Sequence, residues 1–245
     1  MAPPLLAIEA ISKRFGGVLA LDRISFEVGA GTVCGLIGPN GSGKTTLLNI
    51  VNGVVRPDGG TVLLEGKDTV GRRPSALASI GLTRTFQRAR VFDTLTVAQN
   101  LMIPLLHAGR STREGAARRA EELLALVALE AHSGQPASEL SGGQQRLLEF
   151  ARALITWPRM VLMDEPFAGV HPEIKKLLIR RIRETVEGEG TSFLVVSHEV
   201  PDLAAMSGFM LCLVEGKLVA AGPPYEVVRD DNVIEGYLGR RQEAT

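Results

Sequence analysis

The sequence predicts an α/β fold, a mostly parallel sheet whose strands alternate with helices, interrupted by a helical insertion. Three observations predict it. Short apolar runs recur toward both ends of the chain, Val33–Ile37, Met160–Met163, Phe193–Val196 and Met210–Val214, as strands buried on both faces require. Helical patterns lie between them. From Leu95 to Thr156 the strand signals fade and helical ones take over.

The elements follow in order. Leu5–Ile11 and Val18–Val28 read as two strands around Gly16-Gly17, with Ile24, Phe26 and Val28 pointing one way. Val33–Ile37 is a strand that feeds a glycine-rich loop, and Lys44–Val51 reads as a helix closed by Gly53 and Pro57. Thr61–Leu64 is a further strand before Gly66. Thr96-Val97-Ala98-Gln99 has capping-box form and opens a helix through Leu106. Ala120, Leu123, Leu124 and Val127 stand at i, i+3, i+4 and i+7 with Arg118, Arg119, Glu121 and Glu122 between them. That is an amphipathic helix whose charges read as a solvated face. Arg146–Ile155 is another helix. Met160–Met163 is a buried strand ending in Asp164-Glu165, and Ile174, Leu177, Leu178 and Ile182 form a helix stripe. Phe193–Val196 and Met210–Val214 complete the strands, and residues 239–245 read as a frayed end.

Composition narrows the function classes. The 27 Lys and Arg balance 27 Asp and Glu, whereas a nucleic-acid binder normally shows a basic excess. The longest unbroken apolar run, Leu123–Leu129, falls far short of the roughly 18 residues a bilayer-spanning helix needs. No secretory signal pattern follows Met1. Cys34 and Cys212 lie in apolar stretches without metal or disulfide spacing, so buried, reduced residues of a cytosolic protein are expected.

Three motifs carry chemistry. Gly38-Pro39-Asn40-Gly41-Ser42-Gly43-Lys44-Thr45 fits G-x-x-x-x-G-K-S/T. Its glycines let backbone N–H groups turn toward anionic oxygens, and the helix beginning near Lys44 adds the positive end of its dipole. Lys44 is placed to reach β- and γ-phosphates and Thr45 to offer a hydroxyl to Mg2+. A glycine-rich turn with a surface lysine is the alternative; a strand before and a helix after favour the phosphate loop. Asp164-Glu165 ends an apolar strand, where ligand sites of parallel sheets lie. Asp164 can hold Mg2+ through a water and Glu165 can polarise a water for in-line attack on phosphorus, the alternative being a helix cap. Leu140-Ser141-Gly142-Gly143-Gln144 also fits a capping box, yet two glycines are poor helix material, which suits close backbone approach to a ligand at a helix N-terminus.

These motifs, with Thr85-Phe86-Gln87 after a strand, Leu162-Met163-Asp164-Glu165-Pro166 and Ser197-His198, stand in the order found in ATP-binding cassette (ABC) ATPases, which the chain resembles over essentially its whole length. The resemblance implies a P-loop NTPase core with an antiparallel β subdomain and a helical insertion. One ABC ATPase domain would span 1–245, with about 1–86 and 157–245 as core and about 87–156 as helical signature subdomain. It implies that ATP and Mg2+ bind, with Gly38 to Thr46 around the phosphates, Thr46 included. Phe15 would stack on adenine, Gln87 would contact Mg2+ and face a membrane partner, and His198 would contact the γ-phosphate. Without the resemblance, the residues alone favour Phe15 as core and His198 as a satisfied loop histidine. Glu165, His198 and Lys44 would be catalytic, and Thr45, Gln87 and Asp164 would serve the metal. Ser141, Gly143 and Gln144 would reach the ATP of a second ABC ATPase chain, either an identical copy or a LivF-like one.

Gly81–Gln87, Leu95–Leu101 and Val233–Gly239 further resemble the LivG-type ATPases of branched-chain amino-acid importers. That implies permease subunits, reached through Arg84, Arg88, Arg90 and Phe92, and indirectly a substrate-binding protein, with no nucleic acid. The place implied is the cytoplasmic face of the cell membrane. Urea or amide importers and a lipopolysaccharide exporter are the alternatives, although the exporter type carries L-P-Q where this chain has Thr85-Phe86-Gln87. A soluble ABC protein acting on ribosomes or DNA would carry tandem cassettes or long coiled coils, and neither is visible. One departure stands out: the family's D-loop commonly has Asp or Asn before a proline, and here His171 precedes Pro172.

Overall fold

Alternating apolar residues and a tight turn at Gly16-Gly17 make a hairpin of β1 (Leu6–Phe15) and β2 (Val18–Val28). The computed structural model, which describes residues 3–85, 91–105 and 113–238, adds β4 (Gly59–Leu64) and β5 (Lys67–Asp68). The antiparallel order is β2-β1-β4-β5. Ile24, Phe26 and Val28 are buried together as expected. The first strand runs beyond Ile11 to Phe15. Its last residues are polar or half exposed and are fastened from outside, Lys13 Nζ and the Arg14 N–H each 2.7 Å from the Asp58 carboxylate. No apolar pattern marks such an extension.

The larger sheet has the order β10-β9-β3-β8-β7-β6. Its strands are β3 (Val33–Ile37), β6 (Leu82–Arg84), β7 (Met160–Asp164), β8 (Ser192–Val196), β9 (Phe209–Val214) and β10 (Lys217–Gly222). All neighbours are parallel except β9 and β10. Side chains alternate between two apolar clusters. Val33, Ile37, Val161, Met163, Phe193 and Val195 face one, and Cys34, Leu36, Met160, Leu162, Leu194 and Val196 face the other. The first cluster continues into the helical insertion; the second joins the sheet to β1, β2 and β4. Both cysteines are free and buried, and burial raises both thiol pKa values, that of Cys212 to about 11.

After α1 (Lys44–Val51) and α2 (Pro74–Ser79), the insertion's α3 (Val97–Met102) opens on the expected capping box, Thr96 Oγ1 accepting from the Gln99 N–H at 3.1 Å and Gln99 Oε1 from the Thr96 N–H at 2.9 Å. It closes at Met102, short of the expected end, because Pro104 has no N–H to carry the helix on; Leu106 lies outside the described residues. The amphipathic helix is α4 (Arg113–Leu126), and it buries Ala120, Leu123 and Leu124. Its charges are not uniformly solvated. Arg118 is exposed, whereas the Arg119 side chain is only 8% exposed. Arg119 places two nitrogens 2.7 Å from the two oxygens of Glu189, at the end of α6 (Pro172–Glu189). This fork ties the insertion to the C-terminal half. The helix predicted from Arg146 starts earlier, as α5 (Gly142–Leu154). Residues 239–245 lie outside the described residues.

Candidate active site

Because β3, β8 and β7 are adjacent and parallel, their C-terminal ends bring three loops together: residues 38–43, Asp164-Glu165 and Ser197-His198. The first leads into α1 (Lys44–Val51). Gly38 and Gly43 have φ of 147° and 103°, and a Cβ there would stand 2.1 Å from Leu213 O and 2.6 Å from Ala20 O. Only glycine lets the loop lie that close to β9 and β2. Lys44 is buried, and its Nζ donates to Gly38 O and Pro39 O, each at 2.7 Å. Burial holds the ammonium pKa below its ordinary value, and nearby Glu165 and Asp164 oppose that shift.

A cavity of about 470 Å³ opens over this loop. Asn40, Gly41, Gly43, Lys44, Thr45, Thr46, Asp164 and Glu165 line it, together with Val18, Leu19, Ala20, Val196 and Glu215. Glu165 has a φ of 49°, unusual for a non-glycine residue, held by its N–H donating to Val196 O at 2.9 Å. Its Oε2 accepts from the His198 N–H at 3.2 Å and from His198 Nδ1 at 2.8 Å. The ring otherwise stands in solvent, its side chain 64% exposed. Asp164 is buried, with Oδ2 accepting from Arg84 Nη2 at 3.1 Å.

For a metal, the donor chemistry decides. Among the described residues no group of three His, Cys, Asp or Glu side chains stands together. Thr45 and Asp164 line one cavity with hard oxygen donors. That set fits Mg2+, which takes one or two protein ligands and completes its shell with phosphate oxygens and water.

Other predicted residues lie apart. Ser141 and Gln144 form the expected capping box, with bonds of 3.3 and 2.9 Å, and Gln144 Nε2 also meets His132 Nε2 at 3.1 Å. Neither they nor Gly143 line the cavity. Close packing within the chain accounts for one signature glycine: a Cβ on Gly143 would stand 3.0 Å from Ile174 Cγ1, whereas Gly142 faces open space. Phe15 is not core but 49% exposed, opposite Val18 and with Lys13 Nζ 5.3 Å from its ring centroid. Gln87, Arg88 and Arg90 lie outside the described residues. Arg84, expected to face a partner, is turned inward, its side chain 5% exposed. His171 is the N-cap of α6, its Nδ1 accepting from the Glu173 N–H at 3.4 Å, a capping task for which Asp and Asn are the usual residue types.

Sequence reasoning missed the Arg84–Asp164 ion pair, for which an arginine inside a strand was the available signal, and the Glu215 turn. There Asp22 N–H donates to Gly216 O at 2.8 Å and Gly216 N–H to Ser42 O at 3.1 Å, bracing the phosphate loop. A second cavity, about 600 Å³, lies between β6 and the insertion; Arg84, Phe92, Pro104, Glu149 and Arg152 are among its lining residues.

The ABC transporter family model matches residues 21–168. The high-affinity branched-chain amino acid transport ATP-binding protein LivG of Salmonella typhimurium is 35% identical over 253 residues, covering 98% of this chain and 99% of that protein. The probable LivG of Methanocaldococcus jannaschii is also 35% identical, over 96% and 97%. The solved ADP conformation of an ATP-binding cassette of an ABC transporter has a TM-score of 0.87 and 34% identity over 98% of this chain and 100% of the other. A dimeric bacterial ABC transporter cassette has a TM-score of 0.80 at 25% identity over 89% of this chain.

Proposed function

Because this chain belongs to the ABC transporter family as an ATP-hydrolysing cassette, we propose that it powers an importer for branched-chain or related amino acids. The observation that carries the mechanism is the Glu165–His198 pair beside the phosphate loop, on the rim where Lys44, Thr45 and Asp164 converge. Lys44 and the loop N–H groups hold the β- and γ-phosphates, and Thr46 and Asn40 border them. Thr45 and Asp164 would hold Mg2+, which would supply charge neutralisation on the phosphates when bound. His198 fixes Oε2 of Glu165, so Oε1 faces the attacking water. Water oxygen bonds to the γ-phosphorus as the bond to the β,γ-bridging oxygen breaks, and Glu165 takes the water proton. ADP and phosphate leave. His198 stands between Glu165 and the γ-phosphate, Phe15 stacks on adenine, and Gln87 would complete the metal side.

The site takes its remaining contacts from a second cassette, whose Ser141, Gly143 and Gln144 close over the nucleotide. Two observations support this: those residues lie off the cavity of their own chain, and a related cassette is solved as a dimer. The second chain is a copy of this one or a LivF-like chain. Permease subunits dock in the groove beside β6, where Phe92 is half exposed and Arg152 stands 4.9 Å over its ring. A substrate-binding protein acts through them. The chain then works on the cytoplasmic face of the membrane, and no helix among the described residues is long and apolar enough to cross it.

Glu165→Gln tests the reading. The variant is expected to bind ATP as wild type does, to release phosphate about 10²–10⁴-fold more slowly, and to accumulate as an ATP-dependent dimer in light scattering. Turnover at the wild-type rate would remove Glu165 as the base.

A further inference from the structure

Arg84 ends β6 and stands beside Leu162 of β7 in the parallel register. It is a cation almost wholly inside the protein, and such a charge is costly unless paired and hydrogen-bonded. Its guanidinium divides between two segments far apart in sequence. Nη1 donates to Asn49 Oδ1 at 2.6 Å and Nη2 to Asp164 Oδ2 at 3.1 Å. Asn49 belongs to α1, the helix whose first turn carries Lys44 and Thr45; Asp164 ends β7. One rigid fork therefore spans the two elements that present the metal-binding oxygens.

We propose that Arg84 is a positioning residue for the metal–nucleotide site, fixing Asp164 relative to Thr45 so that both meet the same Mg2+. The proposal rests on the ATPase reading. Arg84 touches no reacting atom. It engages Oδ2 of Asp164, so the carboxylate offers Oδ1 to the metal shell in one orientation. Its second arm, on Asn49, keeps the fork from following Asp164 if the β7 end moves. A lysine retains the charge but, as a single point donor, does not hold both partners in a fixed plane.

The test uses the full-length chain with Arg84→Met, Arg84→Lys and Asn49→Ala. Fluorescent ATP is titrated with Mg2+ after EDTA treatment, and phosphate release is followed over the same Mg2+ range. Nucleotide affinity in EDTA should match wild type. The Mg2+ midpoint should rise roughly 10–100-fold in Arg84→Met, as for other outer-shell partners of metal ligands, and less in Arg84→Lys. A wild-type Mg2+ midpoint in folded Arg84→Met, even with a lowered Tm, would show a merely structural salt bridge and overturn the proposal. If Arg84→Met does not fold, Asn49→Ala carries the test. It keeps the buried charge paired and should shift the midpoint in the same direction; an unshifted midpoint overturns the proposal. Wild-type protein that binds no nucleotide at any Mg2+ concentration would overturn the ATPase reading itself, a result distinct from wild type binding normally with unshifted variants.

Discussion

Lys44 is in conflict with its own burial. Its ammonium is held beneath two loop carbonyls, and removal from water disfavours the charge more than Glu165 and Asp164 restore it. The folded-state pKa therefore lies below the ordinary 10.5. Between that lowered value and 10.5 the unfolded chain binds more protons than the folded one, so stability rises with pH in that window. Measured as the Tm of wild type minus that of Lys44→Met, both without nucleotide, the difference is expected to grow more positive as pH rises through the lowered value toward 10.5 and to level off above it. A flat or falling difference would show that the loop carbonyls offset the desolvation. The identity of Lys44, Thr45, Asp164 and Glu165 as one constellation was legible, because each lies at a strand end or loop whose local pattern is strong. The contacts among them were not. Glu165 and His198 are 33 positions apart and Arg84 and Asp164 are 80 apart. Only the parallel order of β3, β8, β7 and β6 brings them together.

At the level of elements, what local apolar pattern specifies was readable and what neighbours impose was not. β3, β7, β8 and β9 are apolar, and each was anticipated within about a residue. β6 is short and carries Arg84, β10 is a half-buried antiparallel edge, and the polar end of β1 depends on Asp58. The start of α5 shows the same division. Its capping box follows from Ser141 and Gln144, but the reason for Gly143 lies on α6, in Ile174. Gly143→Val should lower unfolding free energy by roughly 1–3 kcal/mol through overpacking. Adding Ile174→Ala should restore most of it, with a coupling of roughly 0.5–3 kcal/mol in a double-mutant cycle of denaturant melts. Strict additivity would mean that packing against Ile174 does not explain the glycine.

For the molecule as a whole, the alternation of the large sheet divides the interior, and the sequence showed both faces because its strands are apolar throughout. It did not show that the insertion shares its core with one face, nor that Arg119 fastens the two across to Glu189. The placement of Ser141 off the cavity that holds Lys44 has a genetic consequence. Two defective alleles can be complementary. A Lys44→Ala chain keeps a sound signature, and a Ser141→Arg chain keeps a sound phosphate loop. If two copies pair, mixing these inactive proteins should return phosphate release toward one quarter of the wild-type rate at equal amounts: about half the dimers are mixed, and each holds one intact site. A pair with a LivF-like chain gives no recovery. Test-tube complementation thus reads the stoichiometry of the assembly without a structure of it, and the same arithmetic sets how strongly either allele would poison a cell that also carries the wild-type gene.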